Sequence, residues 1–154
     1  GHLGASLYLR EVLGREDGAP PPVDLAAERR NGDFVRGRIA AGEVSACHDV
    51  SDGGVLVALA EMAMAGGIGA EITLPAGLPP HAFRFGEDQG RYLLATPAPE
   101  AVLAAAAAAG VPARRLGLTG GTALTVPGAD AISVAELQQI NEAWLPDYMA
   151  AKSG

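Results

Sequence analysis

The sequence predicts an α/β fold, a sandwich of helices against a mixed sheet, and three observations predict it. Stretches whose apolar residues recur with helical spacing alternate along the chain with short, strand-like apolar runs. Glycine closes most of these stretches; 21 glycines in 154 residues, about twice the usual usage, supply many tight turns between short elements. Two short strand-like runs flank Gly120-Gly121 and read as a hairpin, which adds antiparallel pairing to the alternating pattern. The chain is 49% apolar and only 5% aromatic, so residues 1–154 are read as one domain with a core of Ala, Leu, Val and Ile.

The elements follow in order. Leu3, Leu7, Leu9, Val12 and Leu13 mark a first short helix from Ala5, with Gly14 as a left-handed cap. Arg15 to Pro22 ends in three consecutive prolines and is an extended loop. Asp24 caps a helix whose apolar side is Leu25, Ala26, Phe34, Val35 and Ile39; Asn31-Gly32 marks a possible break and Gly42 the stop. A strand runs through Val44 to Cys47, and a helix from Gly54 to Ala65 buries Leu56, Leu59, Ala60 and Ala63. Ile68 to Leu74 and Tyr92 to Thr96 read as strands, with a turn-rich connection at Pro75 to Pro80 and a polar loop over Phe83 to Arg91. An alanine-rich helix opens at Pro97 and Glu100 and stops at Gly110. Ser133 caps a last helix with Val134, Leu137, Ile140, Trp144 and Leu145 along one side, before a polar end at Lys152-Ser153-Gly154.

The formal charge of -7, without a Lys/Arg cluster, speaks against nucleic acid and anionic membrane as partners. The single cysteine, Cys47, permits no internal disulfide and fits a reducing compartment, where it reads as a small core residue. The sequence shows no charged-then-apolar leader and no bilayer-length apolar run, so a cytoplasmic location is expected. It starts at Gly1 and enters a helical pattern almost at once, and is expected to be part of a longer polypeptide.

Chemistry concentrates in two loops. In Cys47-His48-Asp49-Val50-Ser51-Asp52-Gly53-Gly54, glycines would let backbone approach a ligand, the amides opening the next helix suit phosphate oxygens, and Asp49 and Asp52 offer the hard oxygens that magnesium prefers. The second loop, Gly86 to Arg91, brings Glu87, Asp88 and Gln89. If the adjoining strands are neighbours, the loops converge at one sheet edge, where so many carboxylates need a cation or separation. Each feature also has a plainer reading. The first loop serves as a capped strand-to-helix turn with Ser51 or Asp52 as N-cap, Glu87-Asp88 as a solvated turn and His48 as a packed histidine. Met62 and Met64 belong to packing, and Arg91 pairs with Glu87 or reaches a substrate phosphate.

Three motifs in this order carry a resemblance: Gly18-Ala19-Pro20-Pro21-Pro22-Val23-Asp24, then His48 to Gly54 followed by Ala58-Leu59-Ala60-Glu61-Met62-Ala63, then Phe85-Gly86-Glu87-Asp88-Gln89-Gly90-Arg91-Tyr92. Together they resemble the phosphoribosylformylglycinamidine synthase family, at the C-terminal domain of its synthase subunit, within the aminoimidazole ribonucleotide synthetase-like superfamily. The resemblance implies a three-layer sandwich with helices on both faces of the mixed sheet. It implies an ATP- and magnesium-dependent ligase of purine biosynthesis that converts formylglycinamide ribonucleotide to its amidine with glutamine-derived ammonia. It also implies Asp49 as a magnesium ligand and Ser51 at a nucleotide, ATP or ADP, beside which the glycine and helix-amide chemistry of the loop places Gly53 and Gly54. Glu87, Asp88 and Gln89 would belong to a substrate or auxiliary-site loop, in which Asp88 stands where the family's substrate-binding loop has serine. Partners implied are the ATP-binding domains of the same chain and, for the short form that the ending resembles, a separate glutaminase subunit. The piece alone is expected to be inactive. Two other readings stand beside this one: a structural module with a degenerate nucleotide site, and another superfamily member such as a thiamine-monophosphate kinase or a hydrogenase-maturation factor.

Overall fold

The computed structural model describes residues 1–151; the polar end at Lys152-Ser153-Gly154 lies outside the described residues. In chain order the elements are a π-helical turn (Tyr8–Val12), α1 (Leu25–Ala40), β1 (Ala46–Val50), α2 (Gly54–Gly66), β2 (Ala70–Ile72), α3 (Pro80–Phe85), β3 (Arg91–Ala95), α4 (Pro99–Ala108), β4 (Gly117–Thr119), β5 (Ala123–Thr125), β6 (Ile132–Ser133) and α5 (Val134–Ala151). The chain has the expected α/β class, with a mixed sheet. It forms two compact units, Gly1–Met62 with Leu74–Leu116, and Ala63–Thr73 with Gly117–Gly154.

In the first unit, α1 starts because Asp24 sits in extended backbone and its Oδ1 accepts the amides of Ala26 and Ala27, each at 3.0 Å. It ends in a Schellman motif, with Gly42 at φ +72° and the Gly42 and Glu43 amides returning to the carbonyls of Ile39 and Arg38. Asn31-Gly32 does not break the helix. A Cβ at Gly32 would stand 3.2 Å from the Tyr92 hydroxyl, and Asn31 Nδ2 donates to the Gly90 carbonyl, so both residues serve close approach to β3. The alanine helix α4 ends the same way, the Gly110 and Val111 amides reaching Ala107 and Ala106, and it buries Val102 and Ala106. The short helix α3 was not expected; Pro80 opens it and it buries Ala82 and Phe83. The first helical stripe winds as a π-helical turn, still closed by Gly14 at φ +63°.

β1 and β3 pair antiparallel, from Ala46 opposite Ala95 to Val50 opposite Arg91. The strand runs on through His48 and Asp49, past its expected end at Cys47. With Val50 buried, two-residue alternation turns Asp49 and Cys47 outward, so Cys47 is exposed and not a core residue. In α2 the buried side is Val55, Ala58 and Ala63, while Leu56, Leu59 and Ala60 are half-buried. Gly54 lies backbone to backbone against Phe85 and Gly86, which draws in the small residue four positions later, Ala58.

The second unit contains a four-stranded sheet in the order β4-β2-β5-β6, with β2 parallel to β5 and the other pairs antiparallel. β4 and β5 therefore do not form the expected hairpin: β2 lies between them. The Gly120-Gly121 turn clasps β2 instead, the Gly120 amide reaching the Gly69 carbonyl at 2.8 Å and the Gly69 amide the Gly121 carbonyl at 2.9 Å. Gly69 and Gly117 make the insertion possible, since a Cβ on either would overlap the backbone of Ala123 or Glu71. Ser133 caps α5 through the Glu136 amide, and Gln138 Nε2 donates to the Met64 carbonyl at 3.0 Å. Val134 is buried, but from Ile140 onward the expected apolar side is exposed.

Candidate functional site

Antiparallel pairing of β1 and β3 sets the geometry. Because Val50 lies opposite Arg91, the loop leaving β1 (Ser51 to Gly53) and the loop entering β3 (Gly86 to Gly90) stand at the same end of the ribbon. Glu87 ties them together. Its Oε1 accepts the Gly53 amide at 2.8 Å and the Leu7 amide at 2.9 Å, and its own amide donates to the His2 carbonyl at 2.9 Å. The main-chain donor at the start of α2, which the sequence offers to a phosphate, thus faces a carboxylate of the chain itself. The Gly54 amide turns back to the Ser51 carbonyl at 3.1 Å.

The glycine pair has a packing reason. Gly53 and Gly54 hold φ +76° and +74°, and a Cβ at Gly54 would stand 2.7 Å from the carbonyl carbon of Phe85. Asp88 is likewise engaged within the chain. Its Oδ2 accepts the His2 amide at 3.1 Å and lies 3.5 Å from Arg91 Nη2. Burial works to raise the Asp88 pKa, but the His2 amide, Arg91 and the amine of Gly1, 3.6 Å from Oδ2, together hold the carboxyl below its ordinary range. Arg91 pairs with Asp88, not Glu87, and donates to the carbonyls of Asp88 and Gly86; its pKa is lowered, first by burial.

Other predicted residues face solvent. The Asp49 side chain is 64% exposed, with His48 Nδ1 3.6 Å from Oδ1. Ser51, Asp52 and Gln89 are exposed. His48 is half-buried between the Asp49 carbonyl, 2.6 Å from Nδ1, and Glu61 Oε2, 3.2 Å from Nε2, the setting of a packed histidine. Burial, then the Asp49 charge, pushes the Cys47 thiol up, away from thiolate chemistry. Among the described residues no three His, Cys, Asp or Glu side chains converge as a metal cage. Asp49 and Asp52 are both exposed carboxylates near the end of β1, and a magnesium ion that keeps several waters needs only one or two such ligands.

Beside Glu87 lies a cleft of about 280 Å³, lined by Ala5, Ser6, Leu7, Arg10, Glu16, Asp52 and Glu87. Its first wall, which the apolar stripe from Ala5 predicts as an ordinary helix, leads into the π-helical turn instead. Two signals pointed elsewhere: Ser6, a polar residue within the stripe that is 2% exposed, and the crowding of Arg10, Glu11, Glu16 and Asp17 around Gly14. Ala5 adopts φ +56°, and strained backbone of this kind gathers at functional sites. The hydrogen bond that Arg10 Nε donates to Glu11 Oε1 raises the Arg10 pKa, with smaller contributions from Glu16 and Asp52.

Residues 1–126 match the family of AIR synthase related protein, C-terminal domain. The chain belongs to that family. It is 66% identical over 98% of its length to phosphoribosylformylglycinamidine synthase subunit PurL of Methylocella silvestris, and 65% identical over 96% to that of Rhodospirillum rubrum. The chain spans about a fifth of the length of these curated relatives, 21% and 20% respectively. Among solved structures it resembles T. maritima PurL complexed with ATP, with a TM-score of 0.67 and 19% identity over 89% of this chain and 24% of that one. It also resembles the PurLQS structure from Thermotoga maritima, with a TM-score of 0.66 and 20% identity over 87% and 24%. In this AIR synthase-related domain, the Glu87 link and the Asp88–Arg91 pair therefore belong to a fold shared with much longer proteins.

Proposed function

We propose that the chain is the C-terminal domain of a phosphoribosylformylglycinamidine synthase, an ATP-dependent carbon–nitrogen ligase of purine biosynthesis working in the cytoplasm. The observation that carries this is the 66% identity across 98% of the chain to such a synthase subunit. In the reaction, the γ-phosphoryl group of ATP passes to the glycinamide carbonyl oxygen of formylglycinamide ribonucleotide, the formyl group being kept, and ADP is released. Ammonia then adds at that carbon and phosphate leaves, giving the amidine. The ATP-binding domains lie in the rest of the polypeptide, a separate glutaminase supplies ammonia, and this piece alone is inactive.

Within it, Asp49 is proposed to hold magnesium with Ser51, Gly53 and Gly54 beside a nucleotide, and Glu87, Asp88 and Gln89 form the adjoining loop. Exposure of Asp49, Ser51 and Asp52 at the end of the ribbon supports the metal part. A second reading, a structural module with a degenerate site, is favoured by Glu87 occupying the Gly53 amide.

The full-length chain, given formylglycinamide ribonucleotide, ATP, magnesium and ammonium, should form ADP, phosphate and the amidine; substrate-independent or absent ADP formation refutes the ligase assignment. Calorimetry of ADP and magnesium on the same chain tests the site: Asp49→Ala should weaken binding, and an unchanged isotherm argues for the structural module.

A further inference from the structure

The second half of α5 is not used by the site. Ile140, Trp144 and Leu145 are 61%, 65% and 57% exposed, and Tyr148 stacks on Trp144 with ring centroids 5.2 Å apart. Ile140, Trp144 and Tyr148, each four residues on, form one stripe. Soluble chains avoid contiguous apolar patches of this kind, and Trp and Tyr are enriched where proteins bury their hot spots.

We infer that this stripe seats another segment of the same polypeptide, outside these 154 residues, with an apolar centre rimmed by Lys or Arg. The inference rests on reading the chain as a piece of a synthase. Three observations select this occupant. The chain spans about a fifth of its relatives, so most of their length lies elsewhere. The family match ends at residue 126, before α5 begins, whereas a synthase subunit matches 98% of the chain, so α5 lies in the part shared with the synthases beyond the matched family domain. All charges between Val134 and Ala151 are acidic: Glu136, Glu142 and Asp147. Glu136 and Asp147 border the stripe, four residues before Ile140 and three after Trp144. A second copy of this face would oppose like charges, and an anionic membrane would be repelled.

The test uses the full-length chain carrying Trp144→Cys or, on the helix's other side, Glu142→Cys, with maleimide labelling at each position followed by peptide mass spectrometry. Position 144 is expected to react at least about tenfold more slowly than 142 in the native chain and equally fast in urea, as for a site reached only by local opening. Equal native rates overturn the inference. Photo-cross-linking from benzoylphenylalanine at position 144, in dilute protein, identifies the occupant. A link to a peptide outside this segment, at the mass of one chain, supports the inference; a linked dimer or a link within residues 1–151 overturns it. Hydrogen exchange of the unsubstituted full-length chain stands in where the variants do not fold. Protection across residues 143–150 matching the chain's core helices supports docking, and exchange at the rate of a fraying helix end overturns it. Ligase activity of that same chain is read in parallel, so its absence refutes the proposed function while the labelling result stands.

Discussion

Glu87→Ala removes one carboxylate oxygen on which two main-chain amides converge, Gly53 at 2.8 Å and Leu7 at 2.9 Å. A hydrogen bond to a charged acceptor contributes about 1.5–3 kcal/mol net, and an amide left without an acceptor when buried costs a comparable amount. Gly53 is buried, but Glu87 and Leu7 are half-buried, so the low end applies to each bond. The expected loss is about 3 kcal/mol, or a fall in Tm of about 6–12 °C for a domain of this size. Glu87→Gln keeps an oxygen at the same reach without the charge and should lose about half as much. Urea denaturation followed by circular dichroism gives the free energies, and hydrogen exchange at the Leu7 and Gly53 amides shows whether those bonds are the ones lost. A Glu87→Ala protein within about 0.5 kcal/mol of wild type, the level of an ordinary surface change, would refute the idea that this carboxylate joins the loops.

Gly54→Ala should destabilise by about 2–5 kcal/mol, combining about 1–2 for a left-handed alanine with about 1–3 for overlap at Phe85 and Gly86; wild-type stability with lost nucleotide binding would assign the glycine to ligand approach instead. For Asp88, the folded-state pKa lies below the unfolded value, so its contribution is complete above about pH 4 and disappears as pH falls through the folded pKa. Its side chain is 38% exposed, so solvent screening holds the effect to below about 1 kcal/mol. Urea midpoints of wild type and Asp88→Asn should therefore differ at pH 7 and converge at low pH, and a gap unchanged at low pH would count against the pairing of Asp88 with the His2 amide, Arg91 and the Gly1 amine.

How much the sequence discloses depends on how far apart the interacting residues lie. Asp24, Ser133, Gly42 and Gly110 act on amides and carbonyls a few residues away, and each starts or stops its helix where the pattern places it. The hairpin at Gly120-Gly121 failed because nothing local says that β2, some fifty residues earlier, enters between the two strands. The readable signal was the pair Gly69 and Gly117, isolated glycines in strand-like runs, which mark close backbone approach. Cys47 and Asp49 show a smaller version of the problem. Three extra strand residues, His48 to Val50, leave the period intact, but the burial of Val50 decides which parity faces inward. The meeting of the two acidic loops was legible once β1 and β3 were taken as neighbours. The partners of their carboxylates were not, since Glu87 depends on where the chain brings Leu7, eighty positions away.

That placement bears on how a nucleotide would be held. A ligand phosphate on the Gly53 amide must first displace Glu87, whereas a phosphate carried by magnesium on Asp49 or Asp52 meets exposed carboxylates and leaves Glu87 in place. The two routes predict opposite responses from one variant. If the amide is the seat, Glu87→Ala removes a competing negative charge and ADP binds more tightly to the full-length chain. If the metal is the seat, the loosened loop gives no gain, and affinity stays level or falls. The exposure of Asp49, and an amide already paired with a carboxylate at 2.8 Å, favour the metal route. Tighter ADP binding by Glu87→Ala in the absence of magnesium would reverse that conclusion.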